Sequence, residues 1–234
     1  MVSVSEADLI RWSETLAATA RTGLGFTQNQ YERERFEEIL EVAADMRAKA
    51  GSPHRKEVLI TEWTKLIGDG VAGYVTPKST VGAVVGNDKG EILLIQRSDS
   101  GTWLYPTGWA DVGYSPSEVA VKECKEETGI DVEVVGVLAI LDGMRLGFTR
   151  IPLYSTVFLC KAIGGELQGH PLETLDLGWF ARDALPGNLT GQEYWIDAAF
   201  DAIAGKPYST MFDPPRTPPW EGHLDQSSDI KKQD

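Results

Sequence analysis

The sequence predicts an α/β protein in which a small helical domain precedes a domain that mixes strands and helices. Three observations support this prediction. Residues 5–68 carry apolar side chains at helical spacing, the chain after Gly68 alternates strand-like runs with turns, and a capped helix lies between two of those runs. With 234 residues, 42% of them hydrophobic, the chain is long enough for one good core and a small additional one.

The first predicted helix begins near the N-terminus. Ser5 with Asp8 resembles a helix cap, and Gly23 and Gly25 predict where the helix ends. Its apolar residues recur every three or four positions: Leu9, Trp12, Leu16 and Ala20.

Two more helices are predicted before Gly68. Thr27 and Gln30 match a T-x-x-Q capping box, and Gly51-Ser52-Pro53 predicts the end of that helix. The apolar stripes are Phe36, Ile39, Leu40, Ala43 and Met46 in the second helix, and Val58, Leu59, Trp63, Leu66 and Ile67 in the third. Short amphipathic helices cannot bury such stripes alone, so they pack on each other, on the rest of the chain or on a second copy.

The second domain is predicted to be built largely from strands. Residues 80–85 and 91–95 are strand-like, and the polar loop between them has glycine at both ends, which predicts a hairpin. Gly164-Gly165 predicts a turn. Further strands are predicted at 132–140, at 153–160 and near 175–180, and a last helix at about 191–204. The predicted boundaries are 1–70 for the helical domain, 71–212 for the second domain and 213–234 for a Pro-rich mobile tail.

Composition argues against several classes of protein. The net charge is −13 and no run of Lys and Arg is present, so we predict no nucleic-acid binding. The apolar runs are too short to span a membrane, and the first residues lack the features of a signal peptide. Cys124 and Cys160 show no metal or redox spacing and are predicted to be buried with reduced thiols. These features together predict a cytoplasmic protein.

The most informative stretch is 105–130, and its helix can be read from the capping residues. Ser115 is a good N-cap, Pro116 suits the first helical position, and Glu118 completes an S-x-x-E capping box. Gly129 is placed as the left-handed stop, so the helix is predicted at about 116–128.

This helix carries three glutamates on one side. Each residue turns about 100° around the axis, which places Glu123, Glu126 and Glu127 within an arc of about 100°. Carboxylates this close repel one another, and divalent cations relieve the repulsion because they prefer hard oxygen ligands. The simpler alternative is a solvated charged face in which Lys122 and Lys125 supply the ion pairs.

The stretch resembles the Nudix box, G-x5-E-x7-R-E-U-x-E-E-x-G-U, where U is apolar. Gly108 matches the first glycine, and residues 123–130 match the second half in full if Cys124 counts as apolar. Three residues depart from the usual pattern: Thr107 replaces a frequent glycine, Tyr114 replaces a glutamate, and Lys122 replaces the arginine. The missing glutamate removes a supporting carboxylate, for which Glu118 or Asp111 are candidate substitutes.

The resemblance extends to 92–97 and 101–106, which are similar to the strand and approach loop that precede Nudix boxes. Residues 73–78, the stretches GWADVG and SPSE, and the N-terminal helices resemble one Nudix branch in particular. That branch hydrolyses nucleoside diphosphates linked to a second group X, such as CDP-choline and ADP-ribose. The resemblance implies a Nudix α/β/α sandwich with a mixed sheet, a small N-terminal helical domain and a homodimer. The alternative for the N-terminal helices is a domain that docks a different partner.

The resemblance also implies roles for the acidic residues. Glu123 and Glu127 are the expected ligands of Mg²⁺, or of Mn²⁺, and Glu126 is expected to ligate or orient. A water molecule attacks phosphorus in line, and a nucleoside monophosphate and phospho-X are released. Glu173 and Asp176 are candidates for a general base in a late loop, with Glu173 slightly favoured, and a solvated loop acid is the alternative for both.

Other residues are expected to contact the substrate. Gly108, Arg97 and Arg150 are candidates for the phosphate region, although either arginine could equally be an exposed surface charge. Trp103 and Trp109 are candidates for stacking on a base, and packing is the commoner role for aromatic residues beside a glycine turn.

Two alternative functions stay open at this point. One is a different Nudix substrate: a dinucleotide, a sugar nucleotide or a nucleoside triphosphate. The other is a Nudix-fold protein that senses a ligand or acts as a scaffold without catalysis, which Tyr114 and Thr107 favour and which the retained glutamates oppose.

Overall fold

The computed structural model describes residues 4–68, 75–111, 113–149 and 151–214. Within these ranges, three helices are followed by a domain of eight strands and two helices, so the predicted α/β class with an N-terminal helical domain is confirmed. The elements are α1 (Glu6–Phe26), α2 (Gln30–Lys49), α3 (Lys56–Lys65), β1 (Lys78–Gly86), β2 (Ile92–Arg97), β3 (Trp103–Leu104), β4 (Thr107–Trp109), α4 (Pro116–Thr128), β5 (Ile130–Asp142), β6 (Leu153–Gly165), β7 (Thr174–Phe180), α5 (Gln192–Ile203) and β8 (Met211–Phe212).

Helix α1 starts at the predicted cap but runs further than predicted. Ser5 and Asp8 form a complete capping box, and the helix continues through Gly23 and Gly25 as far as Phe26. The prediction that these glycines end the helix is therefore wrong. A Cβ at Gly23 would overlap the ring of Phe36 on α2, so this glycine permits close helix packing.

The predicted cap of α2 is also wrong, by two residues. The N-cap is Asn29, whose side chain accepts hydrogen bonds from the backbone N–H groups of Tyr31 and Glu32. Thr27 instead donates its hydroxyl to the Glu32 carboxylate at 2.6 Å. Asn satisfies two backbone donors of the first turn directly, which makes it the better cap here.

The three helices share a small core of their own. It contains residues from all three predicted stripes: Ala17, Ala20, Leu24, Leu40, Ala43, Ala44, Leu59 and Trp63. A buried ion pair at 3.0 Å joins Arg47 of α2 to Glu14 of α1 beside this core. The helices therefore do pack on each other, and the third possibility, packing on a second copy, concerns the apolar side chains left exposed, such as Val42 and Leu66.

The sheet of the second domain is mixed, as the resemblance implied. Its main path runs β3-β2-β1-β6-β5-β8, with β4 paired to β1 and β7 paired to β2. Strands β1 and β6 are parallel, as are β5 and β8, and the other pairs are antiparallel. The parallel β1–β6 pair places the chain just before Leu153 next to Lys78, at one end of the sheet.

One helix covers each face of the sheet. Helix α4 packs on Val81, Ala83 and Val85 of β1, in a core that also contains Cys124 and Cys160. Helix α5 packs Trp195 and Ala199 onto the opposite face. This is an α/β/α sandwich, and both cysteines are free and buried as predicted.

Two other predictions concern the later part of the chain. Gly164-Gly165 does not form a separate turn, because β6 runs through both and pairs with the start of β5. Gly165 has φ of 88°, and a Cβ there would overlap the carbonyl oxygen of Gly129. The predicted mobile tail lies outside the described residues from 215 onward. Among the helices of the described chain, none is long and apolar enough to cross a membrane.

Candidate functional site

Helix α4 forms as its caps predict. Ser115 and Glu118 bond reciprocally, with the Ser115 N–H donating to the Glu118 carboxylate at 2.7 Å, and Gly129 ends the helix in the left-handed region at φ of 75°. The apolar side of the helix, with Val119 and Cys124, is buried against the sheet. The opposite side carries the glutamates.

The three glutamates line a single cavity of about 540 Å³. Glu127 is 3% exposed and accepts a hydrogen bond from the backbone N–H of Thr107 at 2.8 Å. The Glu123 side chain is 13% exposed, whereas that of Glu126 is 52% exposed. The arc predicted from helical geometry therefore runs from the protein interior to solvent across the wall of one cavity.

The cavity carries an excess of negative charge. Burial raises the pKa of Glu127 to about 8, the Thr107 N–H acts against that rise, and the charges of Glu123 and Glu173 add to it. Burial also raises the pKa of Glu123. Carboxylates that are hard to ionise in isolation gain from a cation placed among them.

The alternative was a solvated glutamate face whose ion pairs come from Lys122 and Lys125. Only Lys122 pairs with these glutamates. Lys122 lies 2.8 Å from Glu126, 3.4 Å from Glu123 and 3.3 Å from Asp111, and these acids raise its pKa. Lys125 points elsewhere and pairs with Asp131 at 2.8 Å. One ammonium group therefore faces a cavity with several carboxylates.

The donor chemistry of this wall suits Mg²⁺. Across the described ranges, no three acidic, histidine or cysteine side chains form a ready-made metal cage. Mg²⁺ does not require one, because it keeps several waters and binds through one or two carboxylates together with substrate phosphates. Glu123 and Glu127, the two least exposed glutamates of the cavity wall, satisfy that requirement.

Gly108, on strand β4, lies opposite Glu123 of α4. A Cβ at this position would overlap the carboxyl group of Glu123, so the glycine creates the space that this side chain occupies. Gly108 also lines the cavity. In this structure Gly108 makes room for the Glu123 side chain. Its contact with substrate stays a prediction.

Arg97 places a fixed positive charge on another wall of the cavity. Its guanidinium donates two hydrogen bonds to Asp99, at 3.0 and 2.8 Å, and these hold the pKa of Asp99 at about 2. The same hydrogen bonds raise the pKa of Arg97, and the charges of Glu127 and Glu173 add to that effect. The arginine is thus held in place beside the acidic wall, with its Nε and one terminal nitrogen engaged by Asp99.

Of the two acids considered in the late loop, Glu173 lines the cavity. Its side chain is 60% exposed, and its backbone carbonyl accepts a hydrogen bond from Ser98 N–H at 2.9 Å, next to Arg97. Asp176 lies on β7, pairs with Gln96 and uses its carboxylate on the backbone N–H of Leu177 at 2.9 Å. The structure therefore places Glu173, and not Asp176, beside the carboxylates of α4.

The remaining predicted substrate residue, Arg150, lies outside the described residues. Its neighbours Thr149 and Ile151 line the cavity.

Tyr114 and the two acids considered as substitutes for the missing glutamate lie at different places around α4. Tyr114 is exposed and contributes to a different, apolar surface depression beside Val121. Glu118 is used in the cap of α4, whereas Asp111 lines the cavity and contacts Lys122. Of the two candidate substitutes for the missing carboxylate, Asp111 is the one in reach of the site.

Several residues that line the cavity were not predicted from the sequence. Thr80 and Leu153 reach it because β1 pairs with both β4 and β6. Ser98 and Asp99 directly follow Arg97, the last residue of β2. Because Arg97 was itself a predicted site residue, its two neighbours could have been predicted to line the cavity. For the loop around Ile151 no local signal exists, since its place depends on a parallel strand pair more than 70 residues apart in sequence.

Comparison with protein families gives two matches. Residues 76–200 match the family model described as the NUDIX domain. Residues 7–59 match a model described as a UDP-X-like, N-terminal oligomerisation domain.

Individual relatives span most of the chain. A Bacillus subtilis protein, YjhB, to which ADP-ribose pyrophosphatase activity is provisionally ascribed, is 35% identical over 208 residues, covering 86% of this chain and 95% of its own. The crystal structure of a UDP-X diphosphatase is 30% identical, with a TM-score of 0.53, and covers 90% of this chain and 100% of its own. An ADP-ribose pyrophosphatase from Streptococcus suis is 35% identical, with a TM-score of 0.51, and covers 59% of this chain and 100% of its own.

Proposed function

Because the chain belongs to the NUDIX family, we propose that it is a Mg²⁺-dependent pyrophosphohydrolase acting on a nucleoside diphosphate linked to a second group X. The products are a nucleoside monophosphate and phospho-X. The match to the NUDIX model over residues 76–200, and relatives named for ADP-ribose and UDP-X hydrolysis, support this substrate class.

One observation carries the proposal: a single cavity joins the glutamates of α4 to Arg97 and Glu173. A diphosphate is an anion that needs positive charge on several sides, and an acidic wall can bind it only together with cations. The buried Glu127 beside Glu123 supports this reading, because a cation bound between the two carboxylates would favour their ionised forms.

Each residue has a distinct proposed role. Glu123 and Glu127 hold Mg²⁺, with Glu126 as a third ligand or an orienting group, while Lys122 keeps Glu126 in place. When bound, Mg²⁺ neutralises phosphate charge and makes a coordinated water more acidic. Arg97 contacts a phosphate oxygen and orients the diphosphate for in-line attack.

Glu173 is the proposed general base. Its carboxylate accepts a proton from the attacking water as the new oxygen–phosphorus bond forms and the bond to the bridging oxygen breaks. Its side chain is 60% exposed and lines the cavity, where its carboxylate lies 3.8 Å from His170 Nδ1.

The proposal is tested by incubating the full chain with ADP-ribose, CDP-choline, UDP-sugars, dinucleotides and nucleoside triphosphates, with Mg²⁺, with Mn²⁺ and with a chelator. We expect at least one X-linked diphosphate to yield its nucleoside monophosphate with either metal, and chelation to stop the reaction. Binding of such a compound with no product under any metal condition would favour the alternative of a sensor or scaffold. Turnover confined to triphosphates would reject the proposed substrate class.

We further propose that the protein is a homodimer formed through its N-terminal helices. The match of residues 7–59 to an oligomerisation domain and the exposed apolar side chains of these helices support this. Light scattering on the eluting peak of a sizing column should give about twice the 25.6 kDa chain mass at micromolar concentration. A monomer mass under those conditions would contradict the proposal.

A further inference from the structure

We propose that Trp109 is the stacking platform for the nucleobase and that it defines the base-recognition end of the cavity. This inference rests on the proposed function, because it assigns the substrate's base to a place next to the proposed metal site. It distinguishes between two tryptophans that the sequence treats alike.

The two tryptophans have different environments. Trp103 packs edge-on against Phe180, with 5.1 Å between the ring centroids, as part of the core under α5. Trp109 is 52% exposed and lines the cavity. A large aromatic side chain left half exposed at the wall of a ligand cavity is available to bind a ligand.

The strand register places Trp109 on the face opposite to the acidic wall. Gly108 faces Glu123 on α4, so its neighbour Trp109 points to the other face of the sheet. Trp109 pairs directly with Thr80, and Lys78 pairs with Leu153, so these side chains share that face.

The cavity therefore has two chemically different ends. The first contains the glutamates of α4 with Lys122, Arg97 and Glu173. The second contains Trp109, Thr80, Ile151 and Leu153, which together offer one aromatic ring, two aliphatic side chains and one hydroxyl group. A nucleoside diphosphate has the same division, with a charged diphosphate joined through ribose to a flat base that has apolar faces and polar edges.

One contact restrains the ring of Trp109. The Lys78 ammonium lies 5.5 Å from the ring centroid, a cation–π contact that restrains the indole. A restrained ring loses less conformational freedom when a base stacks on it, which favours binding. Every base has a π face, so this platform explains base binding without selecting one base.

The test measures binding and not turnover, so that it can fail independently of the proposed function. Calorimetry on the full chain with Mg²⁺ would compare AMP, CMP and UMP with ribose 5-phosphate, which carries phosphate and sugar but no base. We expect Trp109→Ala to weaken binding of the best nucleoside monophosphate by roughly 10- to 100-fold, from the loss of one base stack. Binding of ribose 5-phosphate should change little.

Two further variants serve as controls. Trp109→Phe keeps an aromatic face and should recover most of the lost affinity. Tyr154→Ala removes an aromatic side chain that is also 52% exposed but lies outside this cavity, and it should leave all affinities unchanged.

Three results would overturn the inference: equal weakening of ribose 5-phosphate in Trp109→Ala, unchanged nucleotide affinity in that variant, or a wild type that binds the nucleotides no better than ribose 5-phosphate. A wild type that hydrolyses no diphosphate but binds nucleotides through Trp109 would leave this inference standing while the proposed function fails.

Discussion

Glu127→Gln is expected to remove nearly all metal-dependent turnover and to leave the fold intact. Glutamine fills the same volume, and its carbonyl oxygen can still accept the hydrogen bond from Thr107 N–H that the carboxylate accepts at 2.8 Å. It cannot supply the negative charge that holds a cation against the substrate diphosphate. Loss of one such electrostatic contact lowers kcat by roughly 100-fold or more.

The effect of the same change on stability has a definite sign. The pKa of Glu127 is about 8 in the folded protein, above the value that a glutamate has in the unfolded chain. The free energy of unfolding therefore falls as pH rises between these two pKa values, because the unfolded chain releases the proton first. A glutamine has no such proton to lose, so at neutral pH we expect the unfolding temperature of Glu127→Gln to equal or exceed that of the wild type. Glu133→Gln, an exposed glutamate on β5 outside the cavity, is the matched control and should keep full activity. Wild-type turnover in Glu127→Gln would remove this residue from the proposed site.

Gly108→Ala is expected to have the second-largest effect. The added Cβ would overlap the carboxyl group of Glu123, and the flexible end of that glutamate can yield more easily than the backbone of β4. The predicted result is a folded protein in which one proposed metal ligand is displaced, with kcat/KM lowered by roughly 10- to 100-fold because of a misplaced catalytic group.

The glycine change has a close control in the same chain. Gly187 is surrounded by open space and has no positive φ, so Gly187→Ala adds the same methyl group without a clash. Activity assays on both variants, together with thermal unfolding, separate displacement of Glu123 from general destabilisation. If Gly108→Ala were as active as Gly187→Ala, the proposed dependence on the position of Glu123 would be wrong.

The central helix of the site could be predicted because all of its signals are local. Ser115, Pro116, Glu118 and Gly129 lie within fifteen residues, and each acts on the backbone next to it. The same locality explains why the three glutamates were correctly expected on one side of the helix. Their use in catalysis remains a prediction.

Helix ends that depend on tertiary packing were harder to predict. A glycine that ends a helix and a glycine that admits a neighbouring ring are identical in sequence, and Gly23 is of the second kind because Phe36 packs against it. The cap of α2 was misplaced because Thr27 and Asn29 are both good N-cap residues two positions apart, and only the hydrogen bonds of the folded chain identify Asn29.

The base-recognition end of the cavity could not be predicted from sequence. Trp103 and Trp109 occur in similar local contexts in the sequence. The pairing of β4 with β1 leaves Trp109 exposed at the wall of the cavity. Ile151 and Leu153 join them through the parallel pairing of β1 and β6, which links segments far apart in the chain. Such pairings depend on the whole sheet.

The most direct measurement for the proposed function is a crystal structure of the protein with Mn²⁺ and a non-hydrolysable α,β-methylene analogue of the best substrate, using the anomalous signal of manganese. We predict at least one manganese peak between Glu123, Glu127 and the diphosphate, with Arg97 on a phosphate oxygen. An analogue bound without any manganese at these glutamates, or manganese found only elsewhere, would contradict the proposal.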